Sequence, residues 1–305
     1  LSINDKDKAS DPSVLENMRK HTSMLQLDPS IPDDYAKLKQ SLDAIEEAHG
    51  ICMNRLFYLS IPPALFETTV QNLGNAQLNT SCAHGNAESR LLVEKPFGHD
   101  LATAQELIDI TNSVYHEEQI YRIDHYLAKE TVQNIITFRK HNPIFEGIWN
   151  NQYIKAIDIV ASEKIGIEGR SVFYEGVGAL RDLIQSHLLQ LLAVTTMSLP
   201  SELNSESIHT HKHVLLQMIE PAKVEEATRG QYDSYRKEVN NPESFTETFA
   251  SVRLHIDSDE WRDVPVTITT GKALTERKTE VRLTFTNRAE GGDADVAAGH
   301  HGHAV

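Results

Sequence analysis

The fold class follows from the stretch LLVEKPFGHDLATAQELIDITNSVY at residues 91–115. Its first three residues form a short apolar run, which predicts a strand buried in a sheet. The loop EKPFG comes next, and apolar residues at helical spacing then predict a helix from Leu101 to about Tyr115. A buried strand that runs directly into a covering helix is the unit from which parallel α/β sheets are built.

The same alternation is predicted on the N-terminal side of this stretch. Its elements are a helix over 33–49 that ends at Gly50, a strand over 56–61 and a helix over 64–73. Pro62 and Pro63 close the strand. Residues 1–32 are rich in Asp, Lys, Ser and Pro, and we expect them to be poorly ordered around a short helix near 14–20. The first part of the chain therefore predicts a parallel sheet covered by helices.

The pattern changes after residue 130. The predicted elements are helices over 131–140, 177–196 and 209–219 and strands over 154–162, 249–256, 264–270 and 281–286. The first and last of the three C-terminal strands alternate apolar and polar residues, as half-buried antiparallel strands do. The final residues are rich in Gly, Ala and His. Although His300, His301 and His303 could bind a metal, we expect a disordered tail over 289–305 and no metal site.

Composition excludes several classes of partner. The chain has 29 Lys and Arg against 44 Asp and Glu, a formal charge of −15, so neither nucleic acid nor an anionic membrane is an expected partner. No apolar run approaches the roughly 18 residues of a membrane span, and no signal peptide is visible. Cys52 and Cys82 lack metal-ligand spacing, so we expect no disulfide framework and a cytoplasmic, reducing location.

The decapeptide YRIDHYLAKE at 121–130 concentrates polar chemistry in an otherwise acidic chain. His125 and Lys129 are four residues apart, which on a helix would place them on one face. An imidazole, an ammonium and the free N–H groups of a helix end together could bind a phosphate dianion. A polar helix cap with incidental charges fits the segment equally well.

Two further polar residues follow predicted buried strands. Lys95 comes directly after the strand at 91–93, at the carboxyl end of a parallel sheet, where such sheets bind ligands. Glu163 follows the strand at 154–162 and could accept hydrogen bonds from sugar hydroxyls. Taken alone, a solvated lysine and a surface salt bridge are the simpler interpretations.

The remaining candidates lie on a helix and on a loop between strands. Asp182 and His187 open a strongly apolar helix, and a histidine is the natural base at neutral pH. A buried structural histidine is the alternative. Lys272 and Arg277 belong to the segment GKALTERK, which is interpreted either as a solvated hairpin or as an anion clamp.

Six segments, taken together and in this order, resemble the glucose-6-phosphate dehydrogenase family. They are NRLFYLSIPP at 54–63, EKPFG at 94–98, RIDHYLAKE at 122–130, SEKIGIEGR at 162–170, RDLIQSHLLQLL at 181–192 and GKALTERKTEVRL at 271–283. The resemblance covers roughly residues 33–287. It implies a partial dinucleotide-binding, Rossmann-like domain over 1–123, followed by an α+β domain with a mainly antiparallel sheet over 124–288 for substrate binding and dimerisation.

The resemblance also implies roles for the candidate residues. His187 matches the general base that takes the proton of the sugar C1 hydroxyl, and Asp124 matches the carboxylate that orients it. The groups that match phosphate-binding residues are His125, Tyr126 and Lys129. The groups that match further substrate contacts are Glu163, Asp182, Lys272 and Arg277. Lys95 matches a lysine between substrate and coenzyme, and with Pro62 and Pro63 it makes up what remains of the coenzyme site.

The sequence departs from the family pattern in three places. The family opens with a strand, a glycine-rich turn and a helix, whereas the first glycine here is Gly50. The family also continues into further strands, whereas this chain passes into a low-complexity tail, so we expect truncation at both ends. Ala128 replaces a glycine that is usual in the family.

Two functions follow from the resemblance. The first is NADP-dependent oxidation of glucose 6-phosphate to 6-phosphogluconolactone, in the pentose phosphate pathway of glucose metabolism, with the missing glycine-rich turn limiting the activity of this chain. The alternative is a non-catalytic protein, derived from the family, that binds sugar phosphate or serves as a subunit. The family dimerises through the sheet of the second domain, so a homo-oligomer is a possible assembly of this chain.

Overall fold

The computed structural model describes residues 12–80, 87–98 and 100–286. The chain divides into two compact units, and the division falls between Ile123 and Asp124. The predicted C-terminal tail over 289–305, with its three histidines, lies outside the described residues. None of the helices that the structure describes is long and apolar enough to cross a membrane.

The first unit is a three-stranded parallel sheet with helices. Its helices are α1 (Pro12–Lys20), α2 (Pro32–His49), α3 (Phe66–Asn75) and α4 (Leu101–Asn112). Its strands are β1 (Arg55–Leu59), β2 (Ser89–Val93) and β3 (Ile120–Arg122), which pair in that order with parallel register. Leu91 and Val93 of β2 pack in the core with Val70 and Leu73 of α3. The predicted parallel sheet is therefore confirmed.

Helix α2 is specified locally at both of its ends. Pro32 occupies the first turn together with Asp33, and Gly50 ends the helix in the left-handed region at φ 64°. An ionic contact then connects the helix to the sheet, because the buried guanidinium of Arg55 on β1 donates to Asp43 at 2.8 Å and to Glu46 at 2.9 Å. This contact stabilises the packing of α2 on β1.

Two expectations for the first unit need correction. Residues 21–31 lack regular secondary structure, but the carbonyl of Pro29 accepts hydrogen bonds from Tyr35 and Asn72, so this part of the N-terminal segment is bound to α2 and α3. Composition does not reveal such main-chain contacts. Cys52 is disulfide-bonded, against the expectation of no disulfide, because cysteine count and spacing do not report distance in the fold.

The second unit is an α+β structure built on a five-stranded sheet. Its strands are β4 (Ile154–Ser162), β5 (Ala227–Gly230), β6 (Phe249–Leu254), β7 (Val266–Gly271) and β8 (Lys278–Phe285). Its helices are α5 (Glu130–His141), α6 (Pro143–Glu146), α7 (Ser171–Tyr174), a π-helix (Leu180–Leu188), α8 (Leu189–Thr196), α9 (Ser205–Gln217) and α10 (Tyr235–Glu238). The strand order is β5-β6-β7-β4-β8, and every pair is antiparallel except β4 with β7. The predicted mainly antiparallel sheet is confirmed.

The strand register brings polar loops to one end of this sheet. Ser162 at the end of β4 pairs in parallel with Gly271 at the end of β7, and in antiparallel register with Lys278 at the start of β8. The residues that follow or precede these strand ends are therefore neighbours. Behind them, Ile157 and Ile159 of β4 belong to the main core cluster of the unit.

The helix predicted over 177–196 has two different geometries. Its first part, Leu180–Leu188, is a π-helix, and its second part is α8. π-Helices are rare and are frequently found at functional sites. Apolar spacing predicts a buried helix here, but it does not distinguish the wider π turn from the α turn.

Candidate active site

The centre of the site is a hydrogen bond between a histidine and a carboxylate. The ring nitrogen Nδ1 of His187 lies 2.7 Å from Oδ1 of Asp124. The His187 side chain is 1% exposed and that of Asp124 is 15% exposed, so water competes little for this contact. Because an ionised carboxylate can only accept, Nδ1 carries the hydrogen, and Nε2 is left as the basic nitrogen of the ring.

Asp124 is held by the backbone around it. Its Oδ1 also accepts the backbone N–H of Tyr126 at 2.9 Å, and its carbonyl accepts the N–H of Leu127 at 3.1 Å. Burial alone would raise the pKa of the Asp124 carboxyl. The hydrogen bond and the charge of His187, with the backbone N–H groups of Tyr126 and Leu127, outweigh burial and lower this pKa. Asp124 therefore stays ionised opposite the imidazole.

Two aromatic rings contact the imidazole, and a cation lies over one of them. The Tyr126 ring stacks on His187 with centroids 4.6 Å apart and planes at 17°, and the His125 ring meets His187 edge-on at 4.4 Å. The Lys129 ammonium lies 3.2 Å from the centroid of the Tyr126 ring. Three consecutive side chains of the 121–130 segment thus contact one buried base, and Lys129 lies over the ring of one of them, Tyr126.

The local structure of this segment differs from the predicted helix start. Its first residues form β3, residues 125–128 form a turn, and α5 begins only at Glu130, with Lys129 as the residue before it. The prediction that His125 and Lys129 share a helix face is therefore wrong. The side-chain cap of Asp124 on the backbone favours a turn over a helix at this point.

A positively charged region forms beside Tyr126. Burial lowers the pKa of the Lys129 ammonium, and the neighbouring Arg277 guanidinium lowers it further, although Asp124 and Glu163 act in the opposite direction. Two cations that repel one another in a partly buried place are stabilised by an anion between them. This arrangement favours the anion-clamp interpretation of Arg277 over that of a solvated hairpin.

An ion pair forms where β4 and β7 end side by side. Glu163 and Lys272 follow the register partners Ser162 and Gly271, and the Lys272 ammonium donates to Oε2 of Glu163. The Lys272 side chain is only 5% exposed, and its ammonium lies 5.4 Å from the centroid of the Tyr174 ring. Glu163 does form the salt bridge of the simpler interpretation, with its own side chain 33% exposed and its partner Lys272 buried.

Asp182 and His187 both lie on the π-helix. Because a π-helix turns less per residue than an α-helix, a five-residue spacing brings the directions of these two side chains closer together. In an α-helix a five-residue spacing would separate their directions by roughly 140°. Burial is the largest cause of the raised pKa of Tyr126 and of Tyr174, and the charge of Asp182 raises both pKa values further, in Tyr126 after the larger effect of the Glu163 charge.

Sequence reasoning missed two residues of this region. Tyr174 lies beneath Lys272, and its hydroxyl is buried with no partner among the described residues. Lys212 of α9 donates to Oε1 of Gln190 at 2.8 Å. A lone lysine on a helix has the pattern of a solvent-facing residue, and only the packing of α9 on α8 shows otherwise.

The coenzyme candidates lie in the first unit. Pro62 and Pro63 follow β1, and Lys95 follows β2, so all three are at the carboxyl ends of neighbouring parallel strands. The Lys95–Pro96 peptide bond is cis. The roles of these residues toward a coenzyme stay predictions.

A base held by a carboxylate, in the same unit as two cations and a partly buried Glu–Lys pair, defines a site for proton abstraction from a polar, anionic substrate. Comparison with known proteins agrees with this class. The family described as "Glucose-6-phosphate dehydrogenase, NAD binding domain" matches residues 1–134, and "Glucose-6-phosphate dehydrogenase, C-terminal domain" matches residues 136–296. The chain belongs to the glucose-6-phosphate dehydrogenase family.

Individual relatives are similar over most of this chain. Glucose-6-phosphate 1-dehydrogenase of Chlamydia muridarum is 42% identical over 284 residues, which are 89% of this chain and 56% of that protein. The Bacillus subtilis enzyme is 38% identical over 286 residues, 89% of this chain and 58% of the relative. This chain thus spans less than two thirds of the length of either relative.

Solved structures of the family resemble the fold. Glucose-6-phosphate 1-dehydrogenase from Mycobacterium avium superposes with a TM-score of 0.81 at 34% identity, covering 92% of this chain and 59% of that one. A glucose-6-phosphate dehydrogenase in complex with its substrate glucose-6-phosphate gives a TM-score of 0.85 at 30% identity, covering 93% and 60%.

Proposed function

We propose that this chain carries the sugar-phosphate site and the proton-accepting base of a glucose-6-phosphate dehydrogenase. The reaction is oxidation of glucose 6-phosphate to 6-phosphogluconolactone, with NADP as the hydride acceptor. The observation that carries this proposal is the bond between His187 and Asp124, since a protein that only bound a sugar phosphate would not need a buried, oriented base. Family membership and the similarity to a structure that holds glucose 6-phosphate support it.

The chemistry assigned to the pair is a proton transfer. Nε2 of His187 accepts the proton of the C1 hydroxyl, the electrons of that O–H bond form the lactone carbonyl, and the C1 hydrogen leaves as hydride. A bound nicotinamide coenzyme supplies the acceptor for that hydride. Asp124 stabilises the imidazolium that forms, because its carboxylate is ionised and bonded to Nδ1.

Other side chains are assigned to binding. The phosphate is assigned to Lys129, Arg277, His125 and the hydroxyl of Tyr126. The sugar hydroxyls are assigned to Glu163, Asp182 and Lys272, whose carboxylates accept and whose ammonium donates. Both sets lie within the second unit.

The coenzyme is assigned to the carboxyl ends of β1 and β2. Open α/β sheets bind ligands at this edge, and Lys95 with the Pro62–Pro63 turn lies there. These residues fit a nicotinamide half. In the described part of the first unit no glycine-rich turn precedes a helix, and Gly50 ends α2 instead. These residues therefore do not form a binding site for the pyrophosphate of a dinucleotide.

Family membership does not favour the non-catalytic alternative. The choice of NADP over NAD, a cytoplasmic location and a homo-oligomer formed through the second sheet are further proposals on the same basis. They are separate from the assignment of the sugar-phosphate site.

Calorimetry tests the proposal directly on the 305-residue chain. Glucose 6-phosphate should bind with a measurable dissociation constant, and glucose should bind more weakly because the cations at Lys129 and Arg277 gain nothing from it. Fructose 6-phosphate is the matched control, since it has the phosphate but its anomeric hydroxyl is on C2 and not on C1. Equal binding of glucose and glucose 6-phosphate would contradict the proposed site.

A further inference from the structure

One loop of the second unit contacts both elements that carry side chains assigned to the sugar hydroxyls. It comprises residues 239–248, between α10 and β6. Near the end of this loop, Oε1 of Glu247 accepts the N–H of Leu180 at 3.0 Å, and the Glu247 carbonyl accepts that of Ala179 at 2.9 Å. Asp182 follows Leu180 by two residues, so these bonds fix the start of the π-helix that carries it.

The next residue of the loop is bonded to the second element. The carbonyl of Thr248 accepts the N–H of Lys272 at 2.8 Å, directly after the end of β7. Thr248 is fully buried, its own N–H donates to the carbonyl of Gly230 at 2.8 Å, and its Oγ1 accepts the N–H of Tyr232 at 2.9 Å. Two consecutive loop residues therefore position the π-helix and the main chain of Lys272 relative to one another.

A single acidic residue fixes the rest of this loop. Oε2 of Glu175 accepts the hydroxyls of Tyr235 at 2.7 Å and of Ser244 at 3.0 Å. Oε1 accepts the side-chain amide of Asn241 at 2.8 Å, and the Glu175 carbonyl accepts the hydroxyl of Thr246 at 2.7 Å. Three of these four partners belong to the loop and the fourth begins α10, so Glu175 is bonded along most of the length of the loop.

These bonds suit an ionised carboxylate. Each side-chain partner of Glu175 donates, and an ionised carboxylate only accepts. Burial raises the pKa of the Glu175 carboxyl, but the hydrogen bonds from Tyr235, Ser244 and Asn241 outweigh burial and lower it. Hydrogen bonds to a charged group are stronger than those between neutral groups, so Glu175 fixes the loop more firmly than a neutral acceptor would.

We propose that Glu175 is a positioning residue for recognition of the sugar hydroxyls. It fixes the 239–248 loop, and the loop sets the position of the π-helix with Asp182 relative to Lys272. This inference rests on the proposed function, in which Asp182 and Lys272 bind those hydroxyls. Lys129, which is assigned to the phosphate, lies on a different segment, directly before α5.

Discrimination between two sugar phosphates separates this role from general stabilisation. Glucose 6-phosphate and fructose 6-phosphate carry the same phosphate and differ in the sugar, so the ratio of their dissociation constants reports recognition of the sugar. In Glu175→Ala we expect the preference for glucose 6-phosphate to fall by about tenfold, because its hydroxyl contacts are misplaced while the phosphate contacts remain. Calorimetry below the melting temperature of each variant measures the ratio. Glu175→Gln, which keeps an accepting oxygen, should give a smaller fall.

Glu238 of α10 provides a matched control, because it is also a carboxylate that accepts a tyrosine and a serine hydroxyl. Its partners are Tyr232 at 2.8 Å and Ser234 at 2.5 Å, both of which precede the loop. Glu238→Ala should keep the wild-type ratio. If Glu175→Ala does not fold, Ser244→Ala replaces it, and the loss of this one bond should lower the preference by about threefold.

A merely structural role gives a different result. It would lower the melting temperature of Glu175→Ala and leave the ratio of dissociation constants unchanged, and this outcome would overturn the inference. An equal fall of the ratio in Glu238→Ala would overturn it as well. Failure of the proposed function would appear separately, as absent glucose 6-phosphate binding by the wild-type chain.

Discussion

At the scale of single residues, Oδ1 of Asp124 accepts from both the His187 ring and the Tyr126 backbone. Since the pKa of Asp124 is lowered in the folded protein, its stabilising contribution is fully present above the unfolded value near 3.9. That contribution is lost as the pH falls through the lowered native value. The contact therefore supports the fold at the pH where the base would act.

Replacing this carboxylate tests that contribution. Asp124→Asn should lower the free energy of unfolding by about 1–3 kcal/mol at pH 7, because a hydrogen bond to a charged group is lost. The difference from the wild type should be smaller at pH 3, below the unfolded value near 3.9, because the stabilising contribution is lost as the pH falls through the lowered native value. Urea denaturation at both pH values measures this, and a difference that is constant with pH would contradict the ionised state of Asp124.

Lys129 allows the phosphate role to be separated from sugar binding. Lys129→Ala should weaken binding of glucose 6-phosphate by about tenfold or more and leave glucose unaffected, since the cation interacts only with the phosphate. Because the pKa of Lys129 is lowered, wild-type affinity should decline with rising pH at a lower pH than an ordinary lysine near 10.4 would give. Calorimetry measures both effects.

The exposed Lys237 of α10 provides a matched control for this experiment, because replacing it by alanine removes the same charge outside the site. Lys237→Ala should bind glucose 6-phosphate like the wild type. Equal losses for both sugars in Lys129→Ala would remove the phosphate assignment.

At the scale of elements, the π-helix depends on a loop that caps its start. Oε1 of Glu247 accepts the N–H of Leu180 at 3.0 Å, and the Glu247 carbonyl accepts that of Ala179 at 2.9 Å. Gly178 has φ +70°, and a Cβ atom there would lie 2.5 Å from Oε1 of Glu247. A side chain at this position would both strain the backbone and displace the cap.

Gly178→Ala should therefore destabilise the second unit by about 1–3 kcal/mol and weaken glucose 6-phosphate binding, because the π-helix carries Asp182 and His187. Gly176→Ala is the control, since nothing lies within 4 Å of its added Cβ atom, and its effect should stay within about 0.5 kcal/mol. Thermal and urea unfolding of both variants measure the difference. A Gly178→Ala protein as stable as Gly176→Ala would contradict the role of the cap.

Sequence patterns predicted elements best where burial alone decides them. The strand predicted over 154–162 coincides with β4. Its alternating apolar residues must all face the core when one face of the sheet is buried, and this fixes the strand. Strand β5 was missed, since Ala227–Gly230 is a short edge strand with no apolar pattern. The π-helix and the turn at 125–128 depend on distant partners, Glu247 and His187, which local periodicity does not report.

Some residues of the candidate site were predicted from the sequence and others were not. Residue types and the family resemblance indicated His187, Asp124 and Lys129, and the structure brings them together with Glu163, Lys272 and Asp182 in one unit. Lys212 and Tyr174 were not predicted. Their sequence neighbours resemble those of ordinary surface and core residues, and only the three-dimensional contacts distinguish them.

At the scale of the whole molecule, the two units carry different parts of the assignment. The sugar-phosphate residues all belong to the second unit, and the coenzyme candidates Lys95, Pro62 and Pro63 belong to the first. The first unit contributes three parallel strands, and its described residues offer no backbone turn that would approach a pyrophosphate closely.

A polypeptide of these 305 residues alone should therefore show no saturable NADPH binding at micromolar concentrations, although it binds glucose 6-phosphate. Fluorescence titration of NADPH measures this. Tight NADPH binding would mean that residues of the first unit form a pyrophosphate site by another route. The same titration with NADH shows whether any binding distinguishes the two coenzymes.

The central claim is that His187 is the base, and its direct test is His187→Asn in a polypeptide that joins a relative's glycine-rich dinucleotide segment to this chain. We expect the turnover number at neutral pH to fall by about 10²- to 10⁴-fold, while the dissociation constant for glucose 6-phosphate stays within about threefold of the parent. The fall reflects loss of the proton acceptor, and the retained affinity reflects the separate phosphate and hydroxyl contacts. Near-normal turnover in His187→Asn would contradict the account.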